Sequence, residues 1–409
     1  MVKKISQLQY FCGLDLGTHA IKASIIRAKD ENNLDVLGVF EARATGFKEA
    51  SINDMTELAE CIQRATLGIM QKTGIKIQAV QLGVGASFVA ARRSSAVIPL
   101  VDSGSKVISK FDLRKVEAQA KLLGVNLEEE IVHDFPQWYK IDDINTSINP
   151  TGLMGRKIET NLLLLTANSM RMRNLTKAVH QAGFEVSSVA FSGFAASDVA
   201  VEKEERDQGC ALVDIGAHAT SVIFFKDGLV GDVQFIPWGG NYVTQSIAER
   251  LSLTIDLAEE IKKTHAQASV NPGEVSGEIL VKRDKGYIPI RREDVCGVVN
   301  WEIENFLAHL EAVVKGSYLY HQLNKGIVVV GGASLLTGVI ERIEERLKAS
   351  VRMGAFTQGL SNSALYAASI GLARMHYLKK KEQRLGIQTP LNFKDRIVHS
   401  IRELCQEYF

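Results

Sequence analysis

The plainest pattern in the chain is an apolar strand that stops at a carboxylate and a tight turn and then resumes. "FCGLD" (11–15), the turn 16–19 and the apolar run 21–27 predict a β-hairpin. Residues 36–42 predict a third strand. Residues 51–73 predict a helix with Leu58, Ile62, Ala65 and Ile69 on one stripe, and 79–84 a buried strand. Then the texture changes. A strand at 96–101, an amphipathic helix at 110–123 and strands at 130–141 and 157–167 mark 87–164 as an inserted small α+β unit. Helices are predicted at 168–182 and 193–204.

The opening pattern returns at Cys210, in "CALVDIGAHATSVIFFKDG". Leu14-Asp15-Leu16-Gly17 aligns with Val213-Asp214-Ile215-Gly216, about 200 residues apart, which predicts duplicated halves facing one another. A third turn lies in "GIVVVGGASLLTGV" (326–339): a strand, Gly331-Gly332, then a helix to about residue 349. Residues 240–323 between them read as mostly helical, with a strand pair near 279–290.

A carboxylate and a glycine turn between two core strands suit phosphate chemistry. Glycines let backbone N–H groups approach phosphate oxygens. Thr18 adds a hydroxyl and Lys22 a point charge. Asp15 and Asp214, one per turn, suit a hydrated Mg²⁺, which keeps several waters and takes one or two carboxylates. Gly331-Gly332 permits close approach to a flat base or a ribose. The plain alternative, a structural turn at a strand end, suits one such hairpin better than two with a third turn in order.

Composition narrows the partners. The 409 residues suffice for two or more domains, and a net charge of +1 excludes a general nucleic-acid binder. Five scattered cysteines without a CxxC pair predict reduced thiols in a cytoplasmic compartment. The first residues lack the pattern of a signal peptide. No apolar run approaches the roughly 20 residues of a spanning helix, so a membrane role would be peripheral.

The order of the three turns resembles the actin/Hsp70/sugar-kinase ATPase superfamily. "SSAVIPL", "EEEIVHDFPQWYKID", "NPTGLMGRKIE" and "IPWGGNYVTQSIAERLSLTIDLAEEIKKTHAQA" narrow the resemblance to FtsA, the actin-like family of bacterial cell division, over most of the chain. It implies an α/β, actin-like (ribonuclease H-like, duplicated) two-lobed ATPase fold. Residues 1–86 and 165–205 would form the first lobe and 87–164 an insert for filament contacts. Residues 206–242 and 324–378 would form the core of the second lobe, and 243–323 a helical subdomain. A linker at 379–391 would lead to a membrane-targeting helix at 392–409.

The resemblance also implies ATP and Mg²⁺ as ligands. Asp15 and Asp214 would flank the Mg²⁺ and position water. Gly17, Thr18 and Lys22 would line the first phosphate loop, and Gly216, Ala217 and Thr220 the second. Glu259 and Lys262 would approach the ribose or base, and Gly331, Gly332 and Ala333 the adenosine. Here the chain departs from the family, whose second loop usually reads Asp-Ile-Gly-Gly-Gly-Thr-Thr. His218, and His19 in the first loop, either donate to phosphate or stand solvated. At the place of the superfamily's water-orienting Gln or Glu stands Ser192 or nothing, a poor base. The expectation is ATP binding with, at most, slow hydrolysis.

On a helix, Phe393, Ile397, Ile401, Leu404 and Tyr408 form one apolar stripe. Burying five such side chains yields at most about 7–15 kcal/mol, and interfacial burial is partial. Single tails would bind weakly, and a polymer presenting many would bind by avidity. The alternative is a helix docked on the chain's own core. The implied partners are FtsZ through its C-terminal tail, further copies of the chain, other division proteins and the inner face of the cell membrane at the division site. The competing readings are a PilM-like pilus-assembly adaptor and a small-molecule kinase of the same superfamily.

Overall fold

The computed structural model describes residues 9–29, 34–48, 51–101, 103–268, 275–283, 286–354 and 362–384. Gln9–Leu16 pairs antiparallel with Ala20–Ala28, which pairs with Leu34–Arg43. Ala79–Val84 joins the opening strand in parallel, and Glu185–Phe191 joins it in turn. The helix predicted from residue 51 starts later, at Met55, because the Asp54 carboxylate accepts from the amides of Thr56 (2.8 Å) and Glu57 (3.0 Å) and caps it.

The second sheet repeats the first. Leu229–Ile236, Thr220–Lys226 and Cys210–Ile215 run antiparallel, and Ile327–Val330 and Val351–Met353 add in parallel. The last strand of each sheet is followed by a helix that crosses to the other sheet. Ser192–Ala200 also packs on Cys210–Ile215, Thr220–Lys226 and Ile327–Val330. Ser363–Arg384 lies on Gln9–Leu16, Ala20–Ala28 and Ala79–Val84. The helices meet where Gly371 leaves no room for a side chain: a Cβ there would stand 1.8 Å from the Ala195 carbonyl oxygen. Gly13 does the same between helix and sheet, with the Ser369 carbonyl oxygen 2.0 Å from its would-be Cβ.

Three more boundaries, from Ser192 onward, differ from expectation. The helix predicted at 193–204 is two, Ser192–Ala200 and Lys203–Gln208, broken at the extended Val201. The third glycine turn leads first into a short 3₁₀ turn, Gly332–Leu335, and the helix proper is Val339–Leu347. The last described helix continues to Arg384, so 379–384 are helical where a linker was expected. Its Lys and Glu residues have good helix propensity and extend it. The stripe Phe393, Ile397, Ile401, Leu404 and Tyr408 lies outside the described residues.

The inserted unit is a four-stranded sheet of Asn145–Ser147, Glu129–Ile141, Lys157–Asn168 and Val89–Pro99, with helix Lys110–Leu123 on one face. The strand predicted at 96–101 begins earlier, at Val89, since the four polar residues of "ARRSS" carry no apolar period. The run Leu162–Leu165 is buried on both faces. Leu162 and Leu164 join the insert's own core, while Leu163 and Leu165 join the core of the first lobe. The insert also reaches the second lobe. A register shift opposite Gly231 interrupts the sheet's edge. There the Gly231 carbonyl accepts from Arg93 Nη2 and Tyr318 OH, both at 2.8 Å, and the Val230 carbonyl accepts from Gln137 Nε2 at 2.9 Å.

His376, on the last helix, is buried against the first sheet. Its Nε2 lies 2.8 Å from Ser187 Oγ and its Nδ1 3.4 Å from the Cys12 carbonyl. Burial lowers its pKa to about 4. The unfolded chain therefore takes up a proton near pH 6.5 that the folded chain refuses until about pH 4. Stability from this group is complete above about pH 6.5 and falls as the pH drops through that window. His376→Gln is expected to flatten the acid limb by about 2–3 kcal/mol between pH 6.5 and 4. Urea unfolding of both proteins across that range checks it.

Candidate functional site

The two hairpin turns are built alike. At Gly17 a Cβ would stand 2.6 Å from the Ala20 carbonyl oxygen, and at Gly216 2.8 Å from that of Ala219. Both turns therefore need glycine for the same reason: the chain folds back on itself within three residues. In the second, the carbonyls of Gly216 and Ala217 accept from the amides of Gly240 (3.0 Å) and Asn241 (2.8 Å), the first donors of helix Gly240–Arg250. This uses up the loop's carbonyls, and since the Gly216 amide closes the turn on the Ala219 carbonyl at 3.2 Å, the candidate donors are the amides of Ala217 and His218.

Both turns open into one cavity of about 1120 Å³ between the sheets. Asp15, Gly17, Thr18, His19 and Lys22 line it from one side, and Asp214, Gly216, Ala217 and His218 from the other. Gly331, Gly332 and Ala333 close a third wall, and Glu259 and Lys262 a fourth. Thr220 is not among them. It is buried, and its hydroxyl donates to the Trp238 carbonyl at 2.8 Å, because strand pairing turns it into the sheet. Ser221 stands in the lining instead.

Two carboxylates share the cavity. Asp15 is opposite Lys22 in the hairpin register and accepts from Ser192 Oγ at 2.6 Å. Burial raises the pKa of Asp15, and Lys22 and Ser192 oppose the rise. Burial also raises that of Asp214, to about 6, with the Asp15 charge adding and Lys22 opposing. Gly331 fits beside them because it has φ +94° and because any Cβ would stand 2.5 Å from Asp214 Oδ1. A pair of carboxylates that burial holds above the ordinary range, with the Asp15 charge adding at Asp214, is a donor set that a hydrated divalent cation would relieve.

The wall at Glu259 is a charged network. Its carboxylate meets Lys262 (2.6 Å) and Lys263 (3.2 Å) and accepts from Thr244 Oγ1 (2.5 Å). Burial works to raise the pKa of Glu259, and Lys262 and Thr244 overcome it, so the carboxylate stays below its usual range. Lys262 also donates to the Gly240 carbonyl (3.0 Å) and to Thr244 Oγ1 (2.8 Å). The same network crosses the cleft. Glu259 Oε1 is 3.6 Å from His19 Nε2, and Asp256 pairs with Arg43 at 2.5 Å. Burial lowers the pKa of His19 despite Glu259, so the ring faces the cavity uncharged near neutrality. His218 stacks towards Tyr242, with ring centroids 6.5 Å apart.

Sequence reasoning missed the bond from Ser192 to Asp15 and the pair Arg43–Asp256. It also missed the tie between the second loop and Gly239-Gly240, although "WGGN" repeats the double glycine of the third turn. A Cβ at Gly239 would stand 2.6 Å from the Gly216 carbonyl oxygen.

A family model described as "Cell division protein FtsA" matches residues 211–371, and one described as "SHS2 domain inserted in FTSA" matches 88–166. The chain is 27% identical to the cell division protein FtsA of Borreliella burgdorferi over 399 residues, 95% of this chain and 96% of that protein. It is 26% identical to FtsA of Escherichia coli strain K12 over 391 residues, 92% of each. The chain belongs to the FtsA family. The SHS2 match falls on the sheet that grips both lobes, so the insert of this FtsA-family chain is the family's own.

Among solved structures, the PilM-PilN type IV pilus biogenesis complex shares the fold with TM-score 0.65 at 14% identity, over 93% of this chain and 99% of that one. MreB5 of Spiroplasma citri bound to ADP gives 0.56 at 12% identity, over 92% and 98%. The MamK double helical filament gives 0.51 at 12%, over 90% and 98%. At these identities the likeness is one of fold, which is actin-like. The pilus-adaptor reading rests on fold alone and goes no further.

Proposed function

We propose that this FtsA-family chain binds Mg²⁺–ATP in the cleft, polymerises and tethers the division ring to the membrane. The observation that carries the reading is the pair of like-built turns presenting Asp15 and Asp214 to one cavity, with Gly331-Gly332 as its third wall. The related fold of MreB5 is bound to ADP, and MamK forms a filament, which supports both halves of the proposal.

Gly17, Thr18 and Lys22 would hold phosphate from one side, and the amides of Ala217 and His218, presented by the glycine turn at Gly216, from the other. Asp15 and Asp214 would hold the cation through its waters. A bound Mg²⁺ would offset phosphate charge in the cleft. Lys262 and Glu259 would meet the ribose or base, and Gly331, Gly332 and Ala333 the adenosine. The Ser192 hydroxyl gives its proton to Asp15, so it is no base for an attacking water, and hydrolysis would be slow.

The FtsZ tail would dock on the helical region 243–323, and the insert would face the next copy in the filament. Phe111, Leu122, Leu123 and Leu127 leave an apolar surface on that insert. Residues 392–409 would lie on the membrane from the cytoplasmic side. Electron microscopy of the full chain on lipid monolayers with Mg²⁺–ATP tests the reading. Filaments on lipid are expected, and deletion of 392–409 is expected to remove them from the lipid while leaving nucleotide binding intact. Undiminished lipid binding by the truncated chain would refute the tail's role.

A further inference from the structure

We infer that the insert braces the nucleotide cleft from outside its lining, with His133 as a positioning residue for Asp15 acting through the Phe191 amide and Ser192. The inference rests on the nucleotide reading above and adds to it a component from outside the two lobes.

His133 lies on the insert strand Glu129–Ile141. Its ring sits near-parallel to Phe135, with centroids 5.9 Å apart, and edge-on to Phe194 at 4.9 Å. Phe135 belongs to the insert and Phe194 to helix Ser192–Ala200, so the ring is a wedge between the two units. Its Nε2 accepts a hydrogen bond from the Phe191 amide at 3.0 Å. An acceptor there requires a neutral ring with the proton on Nδ1. Burial lowers its pKa to about 4 against the opposing charge of Asp134, which keeps it neutral.

Phe191 ends the last strand of the first sheet and caps the crossing helix without a side-chain bond of its own. The next residue, Ser192, donates to Asp15 Oδ1 at 2.6 Å. At Gly193 a Cβ would stand 2.7 Å from Ser221 Oγ, and Ser221 is the register partner of Asp214. Three consecutive residues thus join the insert, the first carboxylate and the second hairpin. Because the insert also grips the Val230–Gly231 edge of the second lobe, its seating and the geometry around Asp15 are mechanically continuous.

The test titrates the full chain with a fluorescent ATP analogue and Mg²⁺. The proteins are wild type, His133→Phe, His133→Gln, Ser192→Ala and the double variant His133→Phe/Ser192→Ala. Phenylalanine keeps the aromatic packing and removes the acceptor, while glutamine offers an acceptor again. His133→Phe is expected to weaken binding roughly three- to tenfold, and His133→Gln by less than about twofold. In the Ser192→Ala background the effect of His133→Phe is expected to shrink by at least about half on the logarithmic scale, as coupled groups require.

Wild-type affinity in His133→Phe, or an undiminished effect in the Ser192→Ala background, overturns the inference and leaves the nucleotide reading standing. Absence of binding by the wild type overturns both. Should His133→Phe fail to fold, hydrogen exchange of the wild-type Phe191 amide decides. Slower exchange with Mg²⁺–ATP supports the linkage, and equal exchange overturns it.

Discussion

Asp214→Asn is expected to weaken Mg²⁺–ATP binding about 100-fold and, at pH 7, to stabilise the ligand-free protein. The first effect follows from removing one of two carboxylates in a cleft that would hold a divalent cation. A loss of about 100-fold corresponds to about 2.8 kcal/mol, ordinary for a charge-assisted contact shielded from water. The second effect follows from the sign of the Asp214 shift. Burial and Asp15 raise its pKa from 3.8 to about 6 in the folded protein. Between those values the folded chain holds a proton that the unfolded chain has lost, so stability falls as the pH rises through the window. Above about pH 6 the whole cost of the charge is present, and an uncharged side chain removes it. The gain at pH 7 is expected to be about 1–3 kcal/mol. Isothermal titration with Mg²⁺–ATP measures the first effect and urea unfolding without ligand the second. An Asp214→Asn variant that binds as the wild type does would remove the cation from the proposed site.

Opposed effects of this kind are the mark of a site in which function is held at the expense of stability. The same logic explains why the site was partly legible in the sequence. A carboxylate that ends a buried strand, followed by glycine, conflicts with local preference, and local conflict points to a site. That conflict is what singles out Asp15 and Asp214 as candidates, and a double glycine after a buried strand singles out Gly331. Thr220 lies off the cavity because the strand starts at it and alternation gives the cavity face to Ser221, and a one-residue change of phase is invisible without the register. His19 and His218 occupy equivalent places in the two turns, yet their surroundings differ. Glu259 and Lys263 surround His19, and Tyr242 lies near His218. Those neighbours come from elements far along the chain.

The fold was legible in the same uneven way. The helix Lys110–Leu123 carries its own capping box at Ser109 and Asp112 and was readable to the residue. The run Leu162–Leu165 announced burial but not that two units share it. The crossing of the two helices left no sequence signal, because "GFAAS" and "SIGLA" read as ordinary small-residue helix and their contact is purely tertiary.

That crossing supports the second large expectation. Gly371→Val is expected to destabilise the protein by about 3–5 kcal/mol, at the upper end of what overpacking does. The Cβ would lie 1.8 Å from the Ala195 carbonyl oxygen and 2.5 Å from its carbon. These are backbone atoms of a buried helix, which cannot swing aside as a flexible side chain can. Relief requires one helix to move away from the other. Helix Ser363–Arg384 is also fixed to the first sheet, where Ser369 Oγ lies 2.5 Å from Ser24 Oγ and Gly13 admits the Ser369 carbonyl. Movement at Gly371 therefore breaks contacts on both lobes and shifts Ser192, three residues before Ala195, off Asp15. Gly297 is the control, a helix glycine whose added Cβ would meet nothing within 4 Å. Gly297→Ala is expected to gain about 0.5–1 kcal/mol from helix propensity. Urea unfolding of both variants separates the cases: a Gly371→Val midpoint within error of the wild type would show that the helices do not cross at this distance in solution.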